Sequence, residues 1–100
     1  MLQQIFTIYD SKIEAYLQPF FMPTKGAAIR AVTDTLASPD HIFAKHPEDY
    51  TLFHLGSYED GKSTFEIRGT PQSLAVLSEL VNPEGRAVAH ALLEPERFQS

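Results

Sequence analysis

Two periods organise the chain. A period of two runs through residues 2–9, where Phe6 and Ile8 fall on one side and Ile5, Thr7 and Tyr9 on the other. Apolar groups on both sides predict a strand covered on both faces, hence a central one. Asp10 and Ser11 stop it, as short polar residues do in turns. The period returns over residues 50–58, where Leu52 and His54 alternate with Thr51, Phe53 and Leu55. Asp60-Gly61 is a hairpin signal. Residues 63–68 then come back as a strand, with Phe65 and Ile67 inward and Thr64, Glu66 and Arg68 outward.

A helical period occupies residues 24–37. Thr24 is a good N-cap, and Ala28, Val32, Thr35 and Leu36 share one stripe with Ala27 and Ala31 beside it. Ser38-Pro39-Asp40 ends this helix, and a short helical turn follows through Ile42 and Phe43. His46 to Asp49 reads as a loop. Thr70-Pro71 opens a second helix, with threonine as cap and proline at the first helical position. Its stripe is Leu74, Leu77, Leu80 and Val81. Asn82-Pro83-Glu84-Gly85 breaks it, residues 86–93 read as a third short helix, and the tail 96–100 is expected to fray.

Between the first strand and the first helix lies an arm, residues 12–24. Pro19 and Pro23 fix φ and remove donors, so this stretch is neither a helix interior nor a central strand. Residues 13–17 fit a short strand or an extended arm. Of Phe20 and Phe21, one is expected to enter the core and the other to stay exposed. The order is β-(arm)-α-β-β-α-α, an α+β fold with a small, mainly antiparallel sheet backed by helices. The helix crossover makes the first strand and residues 50–58 candidate parallel neighbours. One domain covers residues 1–100, with an α+β core over 1–70 and a C-terminal helical segment over 71–100.

Composition narrows the chemistry. The chain is 43% hydrophobic and 21% charged, as an ordinary folded domain is, and it contains no cysteine. Thiolate catalysis, disulfides and cysteine-held zinc are therefore excluded. The opening MLQQIFTIYD lacks the basic flank and apolar run of a signal peptide. No apolar run approaches the roughly 18 residues of a membrane span, so no membrane association is expected. Formal net charge is −5, which argues against a general nucleic-acid coat.

His41 and His46, with Asp40, Glu48 and Asp49 nearby, match no metal-binding spacing, and no metal or other cofactor is expected. His54 sits mid-strand among apolar residues and reads as a satisfied sheet histidine. A pocket lined by His41, His46 and His54 is what a small enzyme here would need. The acidic pairs Glu48-Asp49 and Glu59-Asp60 suit solvated turns. There is no nucleophile elbow, phosphate loop or dinucleotide fingerprint, so no catalytic residue is assigned. The arm is the best binding candidate. Tyr16 and Phe20 would stack on bases, while Lys12, Lys25 and Arg30 would meet phosphates. Lys25 in the first helical turn opposes the helix dipole unless an anion offsets it. Leu77, Leu80, Val88 and Leu92 form surplus apolar helix surface, the candidate self-association face of a homodimer.

Three blocks in order, IYDSKIEAYLQPFF, TKGAAIRAVTD and PEDYTLFHLGSYEDGKS, carry a family likeness. The chain resembles the small nonstructural protein of gokushoviruses, Microviridae phages with circular single-stranded DNA genomes. The likeness covers residues 5–62 and continues weakly to 71–74. It rests on Tyr9, Asp10, Lys12, Glu14, Tyr16, Pro19, Phe20, Phe21, Pro47, Glu48, Asp49, Tyr50, Leu52, Phe53 and Gly56, most of which read as fold determinants. The resemblance implies a nonenzymatic accessory protein acting in single-stranded DNA synthesis or packaging in the bacterial cytoplasm. Its implied partners are single-stranded DNA and the viral replication or capsid proteins. The alternative is a protein–protein adaptor or assembly factor acting as a homo-oligomer.

Overall fold

The structure, a computed structural model, describes residues 1–81. The fold is α+β, as the sequence predicts: a five-stranded antiparallel sheet with helices on one face. The strands are β1 (Leu2–Asp10), β2 (Ala15–Tyr16), β3 (Phe20–Met22), β4 (Tyr50–Glu59) and β5 (Thr64–Val76). The helices are α1 (Lys25–Leu36), α2 (Ile42–Lys45) and α3 (Leu77–Val81), with a 3-10 turn at Pro47–Asp49. The third helix expected over 86–93 lies outside the described residues.

The sheet order is β2-β1-β4-β5, and β3 pairs with the same edge of β1 as β2 does. Strand β1 is therefore central, and Ile5, Phe6, Thr7 and Ile8 are buried in succession. The arm resolves into two short edge strands, which is where prolines are tolerated. Pro19 precedes β3 and Pro23 follows it. Leu17 N–H donates to Ile8 C=O at 2.7 Å, and Thr7 Oγ1 donates to Leu17 C=O at 2.6 Å. Glu14 takes φ 55° in the turn before β2.

Strands β1 and β4 run antiparallel, contrary to the parallel pairing expected. The reason is the extra pass through the arm. Strand β3 already reverses direction, so the α1 crossover links β3 to β4, and these two flank β1 from either side. Thr24 caps α1 as predicted, its Oγ1 accepting from Ala27 N–H at 3.0 Å. The buried stripe is Ala28, Ile29 and Val32. These meet Phe6, Ile8, Tyr50, Leu52, Ala75, Leu77 and Leu80 in one core on the helix side of the sheet.

Two expectations fail at one irregularity. Ile5 pairs with Gly56 and Phe6 with His54, so Leu55 is an extra residue on β4. One inserted residue reverses the facing of everything beyond it. Tyr50, Leu52 and His54 thus face the helices, whereas Gly56 and Tyr58 face away. Phe65 pairs with Tyr58 and Ile67 with Gly56. Both follow onto the outer face and stand exposed rather than inward.

Residues 71–76 form strand rather than the expected helix, and only Leu77–Val81 is helical. The ladder from Gln72 through Val76 onto β4 overrides the local helical spacing. Pro71 is accommodated because residues 68–71 bulge out opposite Leu55, where no ladder partner requires its missing donor. Leu77 and Leu80 are fully buried in the core of this subunit. They are corrected here: a side chain at 0% exposure is no self-association surface. Val88 and Leu92 lie outside the described residues.

Candidate nucleic-acid interface

The helices cover one face of the sheet and leave the other to aromatic rings. Alternation along β1 puts Tyr9 on that outer face, and cross-strand pairing brings Tyr16 beside it. The two ring centroids are 4.8 Å apart. Phe53 pairs with Thr7, diagonal to Tyr9, and meets Tyr16 edge-on at 5.5 Å. A second trio lies at the other end of the face. Phe21 meets Tyr58 at 5.8 Å, and Tyr58 meets Phe65 at 4.5 Å. Tyr16, Phe21 and Phe65 are 51%, 45% and 58% exposed.

Between the trios is a hollow of about 260 Å³ lined by Thr7, Tyr16, Leu17, Pro19, Leu55 and Pro71. Pro19 and Pro71 come from opposite edges of the sheet. The inserted Leu55 is part of the same lining. The hollow is lined by no carboxylate, histidine, lysine or arginine. What the face can do chemically is stack planar groups and accept apolar ones.

The predicted binding residues do not form one surface. Tyr16 is on the outer face, and Lys12 lies in the turn just before it, exposed, with Nζ 4.0 Å from Asp49 Oδ1. Phe20 goes the other way, which corrects its assignment as a base-stacking ring. It stacks on Phe6 at 5.7 Å and packs against the core. Phe21, its neighbour in an alternating strand, is the exposed ring. Lys25 and Arg30 ride on α1, in the helix layer, across the sheet from Tyr16. Lys25 Nζ donates to Gln72 Oε1 at 3.3 Å.

Tyr9, Phe21, Phe53, Tyr58 and Phe65 complete the face and are not among the predicted residues. The alternation that set Phe53 opposite Leu52 and His54 was the available signal for two of them. Tyr58 and Phe65 lay beyond the Leu55 insertion, which the sequence does not announce.

The histidines do not converge. His41 caps α2, its Nδ1 accepting from Phe43 N–H at 3.1 Å. His46 instead groups with Glu48 and Asp49, whose ligand atoms lie within 4.8 Å of one another on the 3-10 turn. Among the described residues this is the only such grouping, so His41, His46 and His54 do not come together as a ligand set. His54 is buried at 6% exposure on the helix side. Its Nε2 donates to Gln4 Oε1 at 2.8 Å, and its Nδ1 has no partner of hydrogen-bond geometry. Burial lowers its pKa from the ordinary 6.5, Lys25 and Arg68 add to the shift, and the Gly56 backbone opposes it.

Fold and face together define a small α+β protein with an open aromatic sheet surface. Residues 3–80 match the family model described as Phage ORF5 protein, so the chain belongs to that family and is a phage protein. No curated protein and no solved structure matches it. No helix among the described residues is long and apolar enough to cross a membrane.

Proposed function

We propose that this phage protein is a gokushovirus nonstructural protein that holds single-stranded DNA on its aromatic sheet face during genome synthesis or packaging. It works in the host cytoplasm and catalyses no reaction. The observation that supports this reading is the pair of ring trios, Tyr9–Tyr16–Phe53 and Phe21–Tyr58–Phe65, spaced along one open face. Single strands are held by bases stacked on such rings, each worth about 1–3 kcal/mol. Lys12 at one end, and Lys62 in the hairpin turn at the other, supply cations for the backbone.

Net charge of −5 shapes the expectation. Few phosphates can be neutralised, so affinity comes from stacking and the salt dependence is shallow. Fluorescence anisotropy with a labelled oligothymidine, titrated at low and moderate salt, tests this. Tyr16→Ala and Phe53→Ala are each expected to weaken binding at least about ten-fold, consistent with the loss of one stacked base. Absence of binding at low salt removes direct DNA contact. The apolar hollow between the trios favours a second reading, an adaptor that seats a side chain of a replication or capsid protein. Pull-down from infected cells then captures a viral partner, and Leu55→Asp abolishes that capture.

A further inference from the structure

We propose that a cavity beside His54 binds a phosphate monoester group, in preference to sulfate or a phosphodiester. The proposal does not rest on the stacking face. The cavity, about 300 Å³, lies between β1, β4 and β5 at the Leu55 insertion, and its lining includes Gln4, His54, Ser57, Glu66 and Arg68. One polar atom there lacks a partner. His54 is 6% exposed, and its Nε2 donates to Gln4 Oε1 at 2.8 Å. That leaves Nδ1 a buried lone pair with nothing to accept from among the described residues. Buried polar atoms are nearly always paired, so a bare acceptor points to a missing donor.

The surrounding charge selects that donor. Arg68 lines the cavity, and Lys25 Nζ lies 3.3 Å from Oε1 of Gln72, the residue that pairs with His54 on β5. Lys25 also stands in the first turn of the twelve-residue α1, where no acidic side chain offsets it or the helix dipole. Glu66 is the one carboxylate in the lining; it is exposed and is not among the charges acting on the ring. Two cations repel an ammonium donor and attract an anion. Burial, then Lys25 and Arg68, hold the His54 pKa below the ordinary 6.5, so near neutrality the ring stays an acceptor. The anion must therefore bring a proton of its own. A phosphate monoester does, since its second proton leaves near about pH 6. Sulfate and a phosphodiester offer Nδ1 only oxygen lone pairs. The Arg68 guanidinium, the Ser57 hydroxyl and the Gln4 amide N–H are donors for the remaining phosphate oxygens. Entry requires the lining to shift, and Gln4 and Arg68, neither of them buried, are its flexible members.

Nitrogen-15 NMR of the four histidines in the full chain, near neutral pH and in phosphate-free buffer, tests the assignment. In the free protein His54 Nε2 is expected to carry the proton and Nδ1 to be bare. Inorganic phosphate is expected to shift the His54 nitrogens to saturation, and sulfate to bind at least about ten-fold more weakly. Arg68→Gln and Lys25→Gln are each expected to raise the phosphate dissociation constant about ten-fold, and Glu66→Gln to lower it. Circular dichroism verifies that these variants keep their fold. Two further probes identify the source of the phosphate: thymidine monophosphate, and oligothymidine ending in a phosphate beside the same strand ending in a hydroxyl. A His54 response to inorganic phosphate and the mononucleotide alone supports a free ligand. A response to the phosphorylated strand as well supports a strand end. A protonated Nδ1 in the free protein, no His54 shift with phosphate, equal affinity for phosphate and sulfate, or an affinity indifferent to both cation variants overturns the proposal. The strand ending in a hydroxyl reports stacking by itself, so failure of either reading is seen separately from failure of the other.

Discussion

At the residue scale, His54 and Gly56 bracket the inserted Leu55, and each is fixed by what surrounds it. His54 is buried against Phe6, with ring centroids 5.4 Å apart, and tied to Gln4. The folded chain therefore keeps the imidazole neutral to a lower pH than the unfolded chain, where it protonates near 6.5. As pH falls from 6.5 toward the folded pKa, the unfolded state binds more protons, so stability declines and then levels. Thermal melts across this range are expected to show that decline, and His54→Gln to remove most of it. An unchanged slope in the variant assigns the pH dependence to other groups. Gly56 is needed for space. A Cβ there would lie 2.1 Å from Glu66 C=O and 2.9 Å from Ile67 Cα, both backbone atoms that cannot swing aside. Gly56→Ala forces β4 and β5 apart and is expected to cost about 1–3 kcal/mol in chemical denaturation.

At the element scale, the arm shows what alternation decides. Phe20 and Phe21 are adjacent in β3, so one ring must enter the core while the other faces out. Phe20→Ala is expected to cost on the order of 2 kcal/mol, because its half-buried ring leaves a gap beside Phe6. Phe21→Ala is expected to leave stability nearly unchanged, and urea melts of the two variants check the contrast. The sequence showed that the pair would divide, but not which way, because the pairing of Phe20 with Phe6 spans the turn that sets the register. Where signals were local, they were legible: the Thr24 cap, the Asp60-Gly61 turn and the alternation of β1 each matched. Where the outcome depended on a distant strand, they were not. Leu74, Leu77 and Leu80 keep helical spacing, yet only the last two are helical, since β4 recruits residues 72–76. The outer face was half legible for the same reason. Tyr16 and Phe53 follow from plain alternation, whereas Tyr58 and Phe65 depend on an insertion visible only once β1 and β4 are paired.

At the scale of the whole molecule, the two faces of the sheet are built for different ends. The helix side is a closed core, and α3 is its seal, for Leu77 and Leu80 are buried against α1 and the sheet. Their helical spacing suggested a surface for a second copy, but a buried leucine acts within one chain. The two roles predict different dependences on concentration. Loss of an interface leucine destabilises less as the protein is diluted, because the association it served is already lost. Loss of a core leucine costs the same at every concentration. Leu80→Ala is therefore expected to reduce unfolding free energy by about 2–5 kcal/mol. Urea melts over a hundred-fold dilution, beside wild type, should show a constant difference. A difference that shrinks on dilution would return Leu80 to an interface and move the outer limit of the core inward from α3.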